Sequence, residues 1–367
     1  MNEFVVTATR SMRNYASRVV ENLVKIPRFS QFAETINGVE ILGMDRFANG
    51  EMEVSLKKSI RGKDVIIFTS CSRNSAGIEV EEAKIELYHT VDALKRSQSG
   101  EIIVFEPFIS SSRSDRTTRR NSVGLWVHFK TLTSLGVKHI TTFQLHSNKS
   151  ESMLDPTNCT IDDIPALTLL ERYLCDVYIR NIETLEKEVR TNWAFCSVDA
   201  GGEKLTREFA NAFGAPLVVA HKQRDYSRKN AIESINILSA EPIEGKVLWI
   251  VDDMVDTAGS VESLIRALAV LKPKEINIIA VHAIFSDPAS QRLNRLADEG
   301  LLKHIIVTDT VGISAFPDII PHIEVVPSAE LSSRIIRILV TNESMGKLMN
   351  PFNAEYYLNS PNLFTSL

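Results

Sequence analysis

The sequence lacks several features that would mark particular classes of protein. No apolar run approaches the ~20 residues that span a bilayer, so we expect no membrane partner. Residues 1–10 lack a basic stretch followed by a long apolar core, which predicts no secretory signal. Only 4 cysteines occur, without Cys-x-x-Cys spacing, which favours reduced thiols and a cytoplasmic location. The net charge of −5 argues against a nucleic-acid partner.

What is present indicates a two-domain α/β protein. A chain of 367 residues exceeds one typical core, and its 44% hydrophobic and 24% charged residues are ordinary for a globular protein. Short apolar runs alternate with helical patterns, which predicts mostly parallel sheets flanked by helices. A long helical pattern over Ala166–Glu188 could separate two α/β units near residue 160.

The most informative segment covers residues 247–264. Val247–Val251 reads as a buried parallel strand, and the acidic pair Asp252-Asp253 follows it. A turn of small residues comes next, in which Gly259 tolerates a positive φ, and a helix is predicted to begin near Ser260. The start of a helix suits a phosphate, whereas carboxylates at a strand end suit sugar hydroxyls or Mg²⁺. The alternative is an Asp-rich loop that caps a helix.

Two further strand ends in the second half carry polar residues. Asp199 precedes two glycines and a predicted helix, which indicates either a phosphate-binding turn or a plain one. Lys222 and Arg224 lie two residues apart after an apolar strand, so they point the same way in an extended chain. The segment 225–245 predicts a hairpin or flap, and the alternative for the two cations is a solvated surface pair.

Three strand-end or loop segments stand out in the first half. His146 ends an apolar strand and is either a metal ligand or a hydrogen-bonded structural histidine. The cationic run Arg113–Arg120 is either a ligand-binding loop or a solvated one, since no aromatic residue is interleaved as in a nucleic-acid arm. Phe47–Glu51 contains Asn-Gly, the strongest short signal for a turn between strands.

Taken in order, these segments resemble those of ribose-phosphate pyrophosphokinases, also called PRPP synthetases. Residues 247–264 resemble the phosphoribosyl-pyrophosphate (PRPP) motif, and the segments around Asp199, Lys222 and His146 resemble further motifs of the family. The chain departs from the family pattern on the side assigned to ATP: Gln144 replaces Asp, Ser114 replaces Gln, Gly124 replaces Ser or Thr, and Trp126 replaces Lys.

The resemblance implies two phosphoribosyltransferase-type (type I) α/β domains in a homo-oligomer, dimer-based and commonly hexameric. Residues 1–160 would form the ATP-side domain, 161–345 the ribose 5-phosphate domain, and 346–367 a tail. The implied reaction transfers the β,γ-diphosphoryl group of Mg-ATP to ribose 5-phosphate, giving PRPP and AMP, with Mg²⁺ as the cofactor.

The resemblance also assigns residues to roles. The catalytic cations would be Lys222 and Arg224, and the metal ligands His146 and Asp199. ATP would contact Phe47, Asn49, Glu51, Arg113 and Asp115. Ribose 5-phosphate would contact Asp252, Asp253, Asp256, Thr257, Ala258, Gly259 and Ser260. Two alternatives stay open: a catalytically degenerate regulatory or binding homologue, supported by the departures, and a type I phosphoribosyltransferase that consumes PRPP.

Overall fold

The structure is a computed structural model that describes residues 3–72, 77–117, 120–223, 234–312 and 322–360. The chain divides into two compact units. Unit 1 comprises Met1–Pro165, Thr310–Ser314 and Pro327–Met349, and unit 2 comprises Ala166–Asp309, Ala315–Val326 and Asn350–Leu367. Within the described residues, no helix combines the length and hydropathy needed to cross a membrane.

Unit 1 is built on a parallel sheet with a separate hairpin. Its strands are β1 (Phe4–Ala8), β2 (Leu42–Arg46), β3 (Met52–Leu56), β4 (Asp64–Phe68), β5 (Ile102–Phe105), β6 (His139–Phe143) and β7 (Thr160–Ile164). The sheet order is β1-β4-β5-β6-β7, all parallel, and β2 and β3 pair as an antiparallel hairpin. The helices are Arg13–Val24, Pro27–Ser30, Ala33–Ile36, Val80–Arg96, Gly124–Leu135 and Ala329–Thr341, with short 3-10 turns at Arg10–Met12, Asn148–Met153 and Met345–Leu348.

Two helices of unit 1 pack on the sheet next to its predicted functional loops. Val80–Arg96 buries Leu87, Val91 and Leu94 in the core that the strands share. Acidic residues in its first turn and basic ones in its last complement the helix dipole. Gly124–Leu135 buries Leu125, Phe129 and Leu132 in the same core, and Gly136, with φ 95°, ends it. The carboxyl ends of β5 and β6 and the starts of these helices are therefore held by one core.

Unit 2 is a larger mixed sheet. Its strands are β8 (Trp193–Ser197), β9 (Leu217–Gln223), β10 (Ser234–Ser239), β11 (Val247–Val255), β12 (Glu275–Ala283), β13 (Ile305–Thr308) and β14 (Ile323–Val326). The order is β10-β9-β8-β11-β12-β13-β14, and every pair except β10–β9 is parallel. The helices are Leu167–Tyr173, Ile182–Thr184, Arg190–Asn192, Glu203–Phe213, Gly259–Ala269, Ala289–Asp298 and Ala354–Asn359. The predicted α/β architecture is confirmed.

The predicted helix over Ala166–Glu188 is wrong in its continuity. After Leu167–Tyr173 the chain widens into the π-helical segment Leu174–Ile179 and then stops at Arg180, whose φ is 66°. A new helix begins at Ile182, capped by the Asn181 side chain, which accepts a hydrogen bond from Thr184 N at 2.8 Å. The apolar spacing was correct, but the asparagine cap and the left-handed residue before it interrupt the helix.

Candidate functional site

The predicted sugar-phosphate segment lies at the carboxyl end of a central strand of unit 2. β11 runs from Val247 to Val255, four residues beyond the predicted strand, so Asp252 and Asp253 belong to the strand itself. Val251 pairs with Ser197, the last residue of β8, which sets the Asp199 turn beside the acidic pair. In open α/β sheets this edge is where ligands bind.

The acidic pair concentrates negative charge in a site with little solvent. Asp253 is 8% exposed, Asp252 is partly buried, and the Asp253 N–H donates to Asp252 Oδ1 at 2.9 Å. Burial and the Asp253 carboxylate, with a further contribution from Asp199, raise the pKa of Asp252 well above its usual range. A cation or a set of hydroxyl donors would relieve this repulsion, so the pair suits a metal-bound or hydroxyl-rich ligand.

The turn after β11 is shaped for a phosphate, with one change from prediction. The positive φ of 58° falls on Ala258 rather than on Gly259. The helix then begins at Gly259, where the first N–H groups of a helix lack intrahelical partners. A Cβ at position 259 would lie 2.9 Å from Arg292 Nη1, so the end of this flexible side chain would have to shift. That guanidinium donates to the Thr257 carbonyl at 2.8 Å and so holds the turn from outside.

The Asp199 turn is closed by its own side chain. Asp199 Oδ1 accepts hydrogen bonds from the N–H groups of Gly201 at 2.8 Å and Gly202 at 3.1 Å, and the helix Glu203–Phe213 follows at once. The neighbouring Ser197 hydroxyl is buried and has no hydrogen-bond partner among the described residues. The turn therefore shows the helix-entry geometry that the sequence predicts, with an exposed carboxylate beside the acidic pair.

The predicted hairpin is confirmed in its two strands. β10 runs antiparallel to β9, with Ser234 opposite Gln223 and Ile235 opposite Lys222. The backbone of Lys222 therefore lies in β9 near its carboxyl end. Arg224 and the Lys222 side chain lie outside the part of the chain that the structure describes.

In unit 1, the segment Phe47–Glu51 forms the turn between β2 and β3. Gly50 N donates to the Phe47 carbonyl at 2.8 Å, and Asn49 Oδ1 accepts from Glu51 N at 3.2 Å. Phe47 is nonetheless 55% exposed. A cleft of about 730 Å³ beside the turn is lined by Arg46, Phe47, Gly50, Glu51, Met52, Glu81, Glu82, Ile85 and His89. The predicted turn is correct, and the same turn presents an aromatic ring to an open cleft.

The loop after β5 carries the other predicted nucleotide contacts. Arg113 is exposed and Asp115 partly buried. Ser114 Oγ between them accepts a hydrogen bond from Gly124 N at 2.9 Å, at the start of the next helix. A Cβ on Gly124 would come within 3.2 Å of Ser111 and 3.4 Å of Ser114 Oγ. Two of the departures from the family pattern therefore pack against each other as one cap.

The exposed His146 follows β6. The backbone at this strand end is held by the carboxylate of Asp163, which the sequence analysis did not identify. Gln144 adopts a positive φ of 46°, and Asp163 Oδ1 on the adjacent β7 accepts a hydrogen bond from Leu145 N at 2.9 Å. Burial raises the pKa of Asp163 to about 6. Asp163 could have been found only by pairing β7 with β6, because its partner lies 18 residues away.

The described residues could supply only part of the ligand set of a magnesium ion. Among residues 3–72, 77–117, 120–223, 234–312 and 322–360, no group of three or more His, Cys, Asp or Glu could hold a metal alone. Mg²⁺ commonly keeps several waters and binds through one or two carboxylates plus substrate phosphates, so a complete protein cage is not required. His146 belongs to unit 1, whereas Asp199 and the acidic pair belong to unit 2.

Comparison with known proteins covers both units. Residues 4–136 match the family model described as the N-terminal domain of ribose phosphate pyrophosphokinase, and residues 176–316 match the phosphoribosyl transferase domain. A ribose-phosphate pyrophosphokinase of Fusobacterium nucleatum is 29% identical over 308 residues, covering 84% of this chain and 89% of the relative. The corresponding protein of Porphyromonas gingivalis has the same identity, aligned length and coverage of both chains. The crystal structure of phosphoribosylpyrophosphate synthetase from Mycobacterium smegmatis shares the fold, with a TM-score of 0.76 at 24% identity, covering 93% of this chain and 99% of the other.

Proposed function

The chain belongs to the ribose-phosphate pyrophosphokinase family and is an enzyme of that class, and from this premise we propose how its site works. The 1-hydroxyl of ribose 5-phosphate attacks the β-phosphorus of ATP, the bond to the α-phosphate oxygen breaks, and AMP leaves while the hydroxyl proton is lost. Chemistry of this kind depends on positioning and on stabilising phosphoryl charge. The observation that carries the proposal is the strand, acidic pair, turn and helix start at Val247–Ala269, beside the Asp199 turn.

Unit 2 supplies the acceptor side of the proposal. The turn before Gly259–Ala269 would hold the 5-phosphate on backbone N–H groups at the positive end of the helix. Asp252 and Asp253 would accept hydrogen bonds from the ribose hydroxyls, directly or through Mg²⁺. Lys222 and Arg224 would stabilise the charge on the transferring group.

Unit 1 supplies the nucleotide side. Phe47 would stack on the adenine while Asn49 and Glu51 hydrogen-bond it, and Arg113 and Asp115 would contact the same nucleotide. His146 and Asp199 would hold the Mg²⁺ carried by ATP. When bound, the ion supplies neutralisation of the phosphate charge. We propose a homo-oligomer in the cytoplasm, as for the family, with a dimer-based and hexameric assembly to be checked by light scattering.

A product assay tests this function. Purified protein with Mg²⁺, ATP and ribose 5-phosphate should release AMP, not ADP, in equal amount with PRPP. Binding of both substrates without turnover would instead favour a degenerate homologue. The two departures from the family pattern at Ser114 and Gly124, which contact each other, are the reason to test this alternative. Consumption of PRPP with an added base would favour a phosphoribosyltransferase.

Gly259→Ala tests the space between the phosphate turn and Arg292. The added methyl group would displace the end of the arginine side chain and break its hydrogen bond to the Thr257 carbonyl. One such bond contributes about 0.5–1.5 kcal/mol, so we expect the KM for ribose 5-phosphate to rise about 3- to 10-fold. Steady-state kinetics at saturating ATP provides the measurement. Gly300→Ala, at a φ of 72° away from the turn, is strained and controls for a general loss of stability in the same unit. An unchanged KM in Gly259→Ala would show that the turn does not depend on this packing.

A further inference from the structure

A chain of buried polar groups lies under the loop that leaves β5, and the proposed chemistry does not use it. Glu106, the residue after β5, is fully buried, and its Oε2 lies 2.9 Å from His128 Nε2. His128 is 1% exposed, and a hydrogen bond of 2.9 Å joins its Nδ1 to the Tyr88 hydroxyl. These hydrogen-bonded side chains thus connect the loop to the helix Gly124–Leu135 and that helix to Val80–Arg96.

The same loop has two further ties to these helices. Lys84 is buried on Val80–Arg96, and its Nζ donates to Ser111 Oγ at 3.0 Å. Ser111 has a positive φ of 64°, which costs a non-glycine residue energy unless its surroundings hold it there. Its carbonyl accepts from Ser114 N at 2.8 Å, and Ser114 caps Gly124–Leu135. Both sides of Arg113 are therefore fixed to helices.

A buried polar pair of this kind is not a general source of stability. Even when both groups are charged, such a pair often contributes no more than well-packed apolar residues of similar volume would, because its desolvation offsets its attraction. Glu106 also faces the buried Cys71, and burial together with this carboxyl raises the pKa of the Cys71 thiol well above its usual range. The side chains of Glu106, His128, Tyr88 and Cys71 thus place polar groups in one core. Their hydrogen bonds are directional and fix the backbone conformation of the loop more closely than apolar packing would.

We propose that Glu106 and His128 are positioning residues for the nucleotide: they hold residues 106–117 so that Arg113 and Asp115 face the ATP phosphates. The proposal rests on the proposed function, which assigns Arg113 and Asp115 to ATP. It also accounts for the departures at 114 and 124, since Ser114 and Gly124 close the same loop onto the helix that carries His128.

The experiment compares His128→Leu with His128→Gln, which keeps a donor toward Glu106. A hydrogen bond to a charged group contributes about 10- to 100-fold in affinity, so we expect the Kd of ATP, titrated without acceptor, to rise by about this factor in His128→Leu. The KM for ribose 5-phosphate should stay within about twofold, because the acceptor residues lie elsewhere, and His128→Gln should recover part of the loss. Hydrogen exchange of residues 106–117 should become faster in His128→Leu, a readout that needs neither substrate.

The control is a second histidine–carboxylate pair among the described residues of unit 1. His139 Nε2 lies 3.1 Å from Asp162 Oδ2 at the start of β6, at the opposite edge of the sheet. His139→Leu removes a histidine–carboxylate contact that is more exposed than the Glu106–His128 pair, and it should leave the Kd of ATP unchanged. If His128→Leu does not fold, Tyr88→Phe, which deletes one hydroxyl at the far end of the chain, should still raise that Kd about threefold, the value of a single hydrogen bond.

Each outcome decides the proposal. The proposal is overturned if His128→Leu folds and has the same ATP affinity and the same hydrogen-exchange rates as the wild type. If His128→Leu does not fold, an unchanged Kd of ATP in Tyr88→Phe overturns it. An equal loss of ATP affinity in His139→Leu also overturns it, because the effect would then be general. Failure of the proposed function is seen separately, as an absence of AMP release by the wild-type protein, while the exchange measurement still tests the loop.

Discussion

Lys222→Ala is expected to lower the turnover number for AMP release by about 10²- to 10³-fold, the usual loss when one preorganised charge stabiliser is removed. The negative charge of the transferring diphosphoryl group is spread over its oxygens in the transition state, so a cation placed there acts on kcat. The strand β9 brings the backbone of this residue to the edge of the sheet near the Asp199 turn. Rapid-quench measurement of AMP at saturating substrates gives the rate.

The control for this prediction is Lys274→Ala. Lys274 is exposed just before β12, at the opposite edge of the same sheet, so its loss changes the net charge equally without approaching the site. We expect full turnover in this variant and little change in the free energy of unfolding of either one. Near-normal turnover in Lys222→Ala would remove the residue from the catalytic role.

The sequence predicted the architecture and the strand-end positions of the site because both depend on local patterns. An apolar run of strand length is enough to identify β11, and a small-residue turn before a helix identifies the phosphate cradle. The resemblance then orders the separate segments along the chain. The roles of Lys222, Arg224 and His146 stay predictions that the mutants must test.

What the sequence could not predict depends on contacts between distant residues. Arg292 holds the turn at Thr257 from 35 residues away, and His128 reaches Glu106 from 22. No local spacing indicates such pairs, since they arise only when helices pack on the sheet. The positive φ of Ala258 was missed because propensity favours glycine in that conformation, whereas here the glycine is the next residue, Gly259, where a Cβ would meet the end of the Arg292 side chain.

Asp252→Asn is expected to make the protein more stable at neutral pH. Burial and Asp253 raise the pKa of Asp252 in the folded state above the unfolded value of about 3.9. The folded state therefore binds the proton of Asp252 more tightly than the unfolded state does. This difference stabilises the folded protein relative to one with an ionised carboxylate below about pH 4, and the free energy of unfolding falls as the pH rises from there through the folded-state pKa. Asparagine cannot ionise, so the gain in melting temperature over the wild type should widen from pH 5 to pH 8.

The same substitution should cost activity. A carboxylate that hydrogen-bonds the ribose hydroxyls or their Mg²⁺ contributes about 1.5–3 kcal/mol, so kcat/KM for ribose 5-phosphate should fall by about 10- to 100-fold while the Kd of ATP alone changes little. Asp298→Asn, an exposed carboxylate at the end of the helix Ala289–Asp298, is the control and should change neither property. Lower stability at pH 8 would contradict the repulsion argument, and full activity would contradict the ligand role. Asp252→Asn should therefore raise the stability of the free protein and lower its activity. The two effects have opposite signs because the charge on Asp252 is unfavourable in the free folded protein. It becomes favourable only when a cation or hydroxyl donors of the substrate are bound.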